Sequence, residues 1–131
     1  MTHLRRFTLA LHWHIDSRVR LITVTAAGVV TAADFAELVK AVAGAGAIGY
    51  AKLFDGSAED LKITREDLLL IGASLRSLHS HPGAHGPLAI VLAPRKHEAA
   101  ARLLGILATA SRPLRLFTSR PPAERWLAGS G

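Results

Sequence analysis

Residues 88–93 read Leu88-Ala-Ile-Val-Leu-Ala93, an apolar run without a single polar side chain. A run of this length, bounded by Pro87 and Pro94, is typical of a strand that is buried on both faces of a sheet. Strands of that kind occur in parallel sheets, in which neighbouring strands are joined by helical crossovers. The run therefore predicts an α/β fold, and the sequence on both sides of it agrees with that expectation.

Strand and helix patterns alternate along the chain on both sides of this run. The first helix pattern is an apolar stripe from Phe35 to Val42 behind Thr31-Ala-Ala-Asp34, which resembles a capping box. Strands are predicted at residues 8–15, 20–25, 50–55, 88–93 and 114–117, and helices are predicted to begin near Thr31, Thr64, Pro94 and Ser119. Asp55-Gly56 is predicted as a turn. The order is ββαβαβαβα, a mixed five-stranded sheet with its first strand antiparallel and the rest parallel.

The size and composition of the chain fit one domain that spans residues 1–131. Half of the residues are hydrophobic and 20% are charged, which provides enough apolar material for a core. The chain contains no cysteine, so disulfides, thiolate zinc sites and thiol catalysis are excluded.

The net charge of +6 is confined to the second half of the chain. Residues 1–67 contain eight Lys or Arg and eight Asp or Glu, whereas residues 68–131 contain eight Lys or Arg and two Glu. A one-sided basic surface attracts anionic partners over a long range. We expect four arginines to speed encounter with an acidic protein: Arg95, Arg112, Arg115 and Arg120. Nucleic acid is disfavoured, because no binding motif is present and the seven aromatic residues are scattered.

The first residues of the chain partly resemble an export signal. Arg5-Arg6 precedes an apolar stretch, but His12, His14 and Asp16 interrupt that stretch early and no small-residue cleavage site follows closely. Elsewhere, too, no stretch approaches the roughly 18 apolar residues of a membrane span. We therefore expect a cytoplasmic protein without a membrane span.

Several segments carry a resemblance to a known family. Besides the opening strand pair they are Val30-Thr-Ala-Ala-Asp-Phe35, Lys52-Leu-Phe-Asp55, Gly86-Pro-Leu-Ala-Ile-Val91, Arg112-Pro-Leu-Arg-Leu-Phe117 and Trp126-Leu127. Over nearly its whole length the chain resembles the SpoIIAA-like branch of the STAS superfamily, named after sulfate transporters and anti-sigma factor antagonists. The resemblance implies sequentially ordered strands backed by helices. It also implies one of two uses: a protein-binding module controlled by phosphorylation, or a relative that binds a small ligand or lipid.

Polar residues follow three of the predicted parallel strands. Ligands of parallel α/β sheets gather at the carboxyl ends of the strands, where helix starts present free N–H groups. Seven residues are expected at this edge: Asp55, Ser57, Thr64, Arg95, Lys96, Ser119 and Arg120. Three helix starts together with three cations would suit an anionic ligand. The alternative is ordinary helix capping, which Thr64 and Ser119 would also serve.

The resemblance also points to a phosphorylation site. In the anti-sigma factor antagonists, a serine at the start of the helix after the third strand is phosphorylated, which blocks partner binding. Thr64 lies nearest to that position here, and Ser57 is the other hydroxyl-bearing residue of the segment. The family's Asp-Ser-Ser-Gly-Leu sequence is absent, and a phosphate on Thr64 would meet the like charge of Glu66 and Asp67.

Seven histidines raise the question of a metal site. His12 and His14 lie two residues apart on one predicted strand face, and His79, His81 and His85 lie in one predicted loop. Imidazoles at such spacing can bind zinc or nickel. Neither group has a cysteine nearby in the sequence, and Asp16 is the one carboxylate close to either of them, which does not complete a ligand set, so neither a metal nor another cofactor is expected.

Motifs of the common enzyme classes do not occur in the sequence, which has no Gly-x-Ser-x-Gly, phosphate-binding loop or dinucleotide-binding fingerprint. The sequence favours a non-enzymatic STAS-like module that binds a protein partner, acidic in character, or itself as a homodimer. The alternative is a small carrier of an apolar, lipid-like or anionic ligand. If Trp13 faces the side of the sheet without helices it is the natural anchor of an interface, and otherwise it is an ordinary core tryptophan.

Overall fold

The computed structural model describes residues 10–78, 86–96 and 114–130, apart from the side chains of residues 72, 74–78 and 130. In chain order these residues form β1 (Leu11–Asp16), β2 (Leu21–Ala26), α1 (Ala32–Gly44), β3 (Ala51–Gly56), α2 (Arg65–Leu78), β4 (Leu88–Leu92), a short 3₁₀ helix (Pro94–Lys96), β5 (Leu114–Phe117) and α3 (Arg120–Ser130). The predicted order is confirmed over this part of the chain. The helix predicted between the fourth and fifth strands begins as the 3₁₀ turn, and the remainder of that prediction lies outside the described residues.

The five strands form one sheet in the order β1-β2-β3-β4-β5. β1 pairs antiparallel with β2, and every other neighbouring pair is parallel, as the sequence predicted. Sequential parallel strands are joined by right-handed crossovers, which put the connecting helices α1 and α2 on the same face of the sheet. We call this the helix-bound face and the opposite one the second face.

Side chains alternate along each strand and so divide the core into two clusters. On the helix-bound face, strand residues pack with Leu38 and Val42 of α1, and the buried strand residues are Leu11, Ile22, Val24, Ala26, Ile90 and Leu92. On the second face, Leu53, Ala89 and Val91 pack with Ala123 and Leu127 of α3. Each face thus has its own apolar cover, and α3 is the cover of the second face.

Trp13 belongs to the first of these clusters, where it lies half-buried among the residues of the helix-bound face. The period of two in β1 puts it on the same side as Leu11 and Ile15. The hypothesis that Trp13 anchors an interface on the side without helices is therefore wrong, and its role in the core is the correct alternative.

α1 begins at the capping box that the sequence indicated. Thr31 and Asp34 form a reciprocal capping box: the Asp34 N–H donates to Thr31 Oγ1 at 3.2 Å, and the Thr31 N–H donates to Asp34 Oδ2 at 2.9 Å. The helix ends at Gly44, and Gly46 follows with a φ of 67°, a left-handed conformation that glycine adopts without strain.

Asp55 and Gly56 are the last two residues of β3 and do not form the predicted turn. Both are paired with β4, opposite Val91 and Leu92. A β-carbon on Gly56 would lie 2.8 Å from Leu92 Cδ2, so a larger residue here would require the Leu92 side chain to move. Strand pairing, of Asp55 with both neighbouring strands and of Gly56 with β4, outweighs the local turn preference of an Asp-Gly pair.

Candidate functional site at the carboxyl ends of the strands

Asp55 is the one buried charged residue among those described, with 8% of its surface exposed. Its Oδ1 accepts from the Ser57 N–H at 3.0 Å and from the Ser57 hydroxyl at 2.6 Å. Its Oδ2 lies 3.8 Å from Nη1 of Arg120, at the start of α3. A buried carboxylate is stable only with such partners. The sequence therefore builds this cluster from the last residues of β3, with Ser57 directly after them, and from an arginine at the start of α3.

Arg120 has a second acidic neighbour, because its Nη2 lies 3.5 Å from Glu124 Oε2, one helical turn further along α3. Ser119 lies exposed directly before this helix. Pro121 and Pro122 occupy the first turn and carry no N–H, so two donors that a helix start normally presents are missing. This edge of the site consequently offers an anion fewer backbone donors than the helix pattern alone would indicate.

Arg95 and Lys96 lie at the carboxyl end of β4, where both contact the segment that follows β3. Arg95 Nη2 is 3.0 Å from Glu59 Oε1, and the Lys96 ammonium donates to the Leu61 carbonyl at 3.0 Å. The Arg95–Glu59 pair is exposed and adds little stability. Both cations bind oxygens of the chain itself and hold the segment after β3 against the end of β4.

Thr64 caps α2 and lies apart from the Asp55 cluster. Its hydroxyl accepts from the Asp67 N–H at 3.0 Å and donates to Asp67 Oδ2 at 2.9 Å. The other oxygen of Asp67 accepts from the Ala32 N–H of α1 at 3.2 Å. One carboxylate thus joins the starts of α1 and α2, a link that local sequence patterns could not reveal.

The seven predicted residues are therefore distributed over three places. Asp55, Ser57 and Arg120 are in contact, with Ser119 beside Arg120 in the chain, whereas Arg95 and Lys96 bind the preceding segment and Thr64 caps a helix. Binding of an anion by this set stays a prediction.

A row of side chains across the second face links Asp55 to residues that the sequence analysis did not assign to the site. Strand register places His12 opposite Thr25, Thr25 opposite Asp55, and Asp55 opposite Val91. Residues in register share a face. The row runs from exposed His12 and Thr25 to Val91, buried beneath α3. The alternation of side chains along β1 shows on which face His12 lies, but only the pairing register of β1, β2 and β3 shows that it lies in the same row as Thr25 and Asp55.

The adjacent row contains His14 and Thr23, which are opposite each other on β1 and β2. Together with His12 and Thr25 they form a polar surface on the part of the second face that is not in the α3 cluster. We call these four residues the open half. No group of three or more His, Asp or Glu residues within the described ranges is arranged to hold a metal ion, and the predicted loop of His79, His81 and His85 lies outside them.

No helix in the described part of the chain is long and apolar enough to cross a membrane.

Comparison with known proteins identifies the fold of this chain but not its activity. No protein-family model and no curated protein matches the sequence. Among solved structures, the chain is similar to an uncharacterized protein of the DUF3478 family with a SpoIIAA-like fold from Shewanella loihica PV-4, with a TM-score of 0.62 and 18% sequence identity. The match covers 90% of this chain and 92% of that one. The chain therefore has a SpoIIAA-like α/β fold with a mixed five-stranded sheet, as its sequence predicted.

Proposed function

We propose that this chain is a non-enzymatic, STAS-like interaction module that binds a protein partner or a second copy of itself through the region around the start of α2. The observations that carry this proposal are the exposure of two large apolar side chains in the second turn of α2 and of a third on Val29, which is bridged to Lys62 three residues before that helix. Val29 is 59% exposed, Leu69 47% and Leu70 53%. We call these three residues the α2 surface. Apolar groups that gather on the surface of a domain commonly mark a binding site for a partner.

The α2 surface rests on a backbone that is held in place before any partner binds. Val29 forms a parallel bridge with Lys62, three residues before α2 begins, and the Lys62 carbonyl accepts from the Val30 N–H at 2.9 Å. Asp67 holds the first turn of α2 against the start of α1. A surface ordered in advance loses less conformational entropy on binding, which favours association.

The Asp55 cluster supports a non-enzymatic role. Among the described residues the hydroxyl that hydrogen-bonds Asp55 is that of Ser57, so Asp55 is the base that would have to take its proton if Ser57 acted as a nucleophile. Both oxygens of the Asp55 carboxylate are occupied within the chain, because Oδ1 accepts from Ser57 and Oδ2 lies 3.8 Å from the Arg120 guanidinium. The cluster is better suited to joining β3 with α3 than to nucleophilic catalysis.

Phosphorylation of Thr64 would regulate this module. The hydroxyl is exposed, and a phosphate there adds a charge of about −2 beside Asp67 and Glu66. Repulsion of Asp67 would weaken both the cap of α2 and the bond to Ala32 that holds the α2 surface. Ser57 is less suited, because its hydroxyl already donates to buried Asp55. We expect Thr64→Glu to weaken association several-fold more than Thr64→Val, which loses the cap without adding charge.

Sedimentation velocity and site-specific photo-crosslinking test the proposal together. We expect the Leu69→Glu/Leu70→Glu variant to lose self-association, or a photo-crosslinker at residue 69 to form an adduct with a partner protein in cells. Val19 is the matched control, because it is 65% exposed but lies in the β1–β2 hairpin at the opposite end of the sheet. Val19→Glu and a crosslinker at residue 19 should have no such effect. A monomer at every concentration, together with no adduct from residue 69 beyond that from residue 19, would refute the proposal.

The alternative function, a small carrier, is favoured by one observation: the open half borders the Asp55 cluster and leaves His12 and Thr25 exposed. A ligand there would be small, polar or anionic. Native mass spectrometry of the freshly purified protein tests this, because a retained small molecule that is lost in Thr25→Val supports the carrier. A mass equal to that of the bare chain or its dimer supports the interaction module.

A further inference from the structure

We propose that His12 and His14 together bind a divalent transition-metal ion, Cu²⁺ in preference to others, as a two-imidazole chelate on the open half. Both side chains are exposed, and both point to the second face because they are two residues apart in β1. Their Cα atoms are separated by about 6.7 Å, the repeat of two strand residues. Side chains at that spacing stand side by side, so two rings can converge on one ion.

The backbone beneath the two imidazoles is fixed. β1 is paired with β2 along its whole length, with His12 opposite Thr25 and His14 opposite Thr23. Threonine is small and uncharged, so neither cross-strand neighbour fills the space above the histidines or repels a cation. A chelate of this kind needs only side-chain rotation, since strand pairing already fixes the spacing of its ligands.

Both imidazoles are available as ligands. Within the described residues, neither ring takes part in a recorded hydrogen bond or ion pair, so each can present a nitrogen lone pair to a metal. The nearest carboxylate on the same strand face is Asp16, two residues beyond His14, and it adds negative charge at that end of the strand. This site has no third imidazole or carboxylate ligand among the described residues.

Because the site offers only two protein ligands, both imidazoles, it favours some metal ions over others. Imidazole suits copper, nickel and zinc, and affinity for a given set of nitrogen ligands rises along the divalent series to a maximum at Cu²⁺. Zn²⁺ sites in proteins usually have three or four protein ligands, which the described part of this face does not supply. Cu²⁺ held by two adjacent imidazoles and by water is the best match. Its open positions would make the ion exchangeable and accessible to a further ligand.

The test is an NMR titration of the full chain with substoichiometric Cu²⁺, followed by affinity measurements with glycine as competitor. We expect Cu²⁺ to broaden the amide signals of residues 12–14 and 23–25 before those of residues 65–70 on α2. His14→Ala should weaken binding at this site about tenfold or more, since the chelate is reduced to one ligand. Thermal melts of each variant establish that the fold is intact.

Two further variants separate a chelate from general histidine binding. His14→Ala/Ser17→His keeps the number of histidines but moves the second imidazole into the hairpin turn, so binding should stay weak. His14→Ala/Thr25→His places an imidazole directly opposite His12 on the same face, so binding should be restored. Broadening that spares residues 12–14 and 23–25, or an affinity unchanged in His14→Ala, would overturn the proposal.

Discussion

The two faces of the sheet differ in what covers them, although the same five strands supply both. The helix-bound face carries apolar side chains on all five strands, from Leu11 on β1 to Leu116 on β5, with Lys52 of β3 as a charged exception. The second face is apolar where α3 packs on it, around Leu53, Ala89 and Val91, and becomes polar at the four residues of the open half on β1 and β2. Strand alternation thus decides which side chains share a face, and the position of one short helix decides which of them form a core.

Asp55 lies on the boundary between the two parts of the second face. Its neighbour Val91 in the same row belongs to the core beneath α3, and its neighbour Thr25 on the other side is exposed. Arg120, the first residue of α3, reaches back to the Asp55 carboxylate. The buried charge therefore occurs at the point where the apolar cover begins, because a partner is available there from the helix and solvent from the open half.

The largest expected effect comes from placing a charge beneath α3. Val91 is fully buried, and Val91→Asp puts a carboxylate without a partner among Leu53, Ala89 and Leu127, at a cost of several kcal/mol. We expect this variant not to fold, as judged by circular dichroism and denaturant titration. His14→Asp makes the same kind of change on the open half and should fold normally. Cooperative unfolding of Val91→Asp with wild-type stability would contradict the division of the second face.

Truncating a buried leucine should destabilise the protein less than Val91→Asp does, and the loss of stability should differ measurably between the two faces of the sheet. Leu38 in α1 and Leu127 in α3 are 6% and 5% exposed. Truncating a buried leucine to alanine costs about 2–5 kcal/mol, depending on how far the surroundings can collapse. We expect Leu38→Ala to lie higher in that range than Leu127→Ala, because α1 is held against α2 as well as against the sheet, so the surroundings of Leu38 can collapse less.

Hydrogen exchange distinguishes the two leucine variants. Leu127→Ala should accelerate exchange mainly in the amides of α3, whereas Leu38→Ala should accelerate it throughout the sheet. Uniform acceleration in both variants would mean that α3 and the helix-bound face unfold as one unit.

The helix starts show which features of this fold can be predicted from local sequence patterns. The Thr-x-x-Asp pattern predicted the caps of α1 and α2 correctly, because a cap is formed by residues within one turn of each other. The same pattern could not show that Asp67 also accepts from Ala32, a residue 35 positions earlier. The strand at 88–93 was predicted equally well, because a strand that is buried on both faces contains only apolar residues.

The candidate site was predictable only in part, because its contacts join distant segments. Asp55 and Ser57 are two residues apart and were assigned to the same edge, but the approach of Arg120 depends on the side of the sheet on which α3 packs. The row from His12 to Asp55 depends on the register of two strand pairs. Alternation fixes the face of each residue, whereas register is determined by turns and packing over the whole sheet.

The two threonine caps should have intermediate effects. Loss of an N-cap hydroxyl costs about 1 kcal/mol, so Thr31→Ala and Thr64→Ala should each lower the free energy of unfolding by that amount. The Thr31 cap is half-buried and reciprocal, whereas that of Thr64 is exposed, so Thr31→Ala should be the more destabilising. Denaturant titration measures both, and Thr64→Ser, which keeps the hydroxyl, is the control. A Thr64→Ala variant as stable as the wild type would place the start of α2 elsewhere.

The smallest expected effect is electrostatic and belongs to the exposed end of the second face. Asp16 is the last residue of β1, and its Oδ1 accepts a hydrogen bond from the Arg18 N–H at 3.0 Å. This hydrogen bond lowers the pKa of the Asp16 carboxyl below its ordinary value of 3.8, and the positive charge of Arg18 lowers it by a smaller amount. A lowered native pKa means that the ionised group contributes stability above pH 3.8, and that this contribution is lost as pH falls through the native pKa. Asp16→Asn keeps an acceptor for the N–H but removes the charge, so it should be slightly less stable than the wild type at neutral pH. The difference should disappear in acid.

Arg18→Ala leaves the backbone donor in place, and we expect most of the lowering of the Asp16 pKa to remain when this carboxyl is titrated by NMR. A return of the Asp16 pKa to 3.8 in Arg18→Ala would instead assign the shift to the arginine charge.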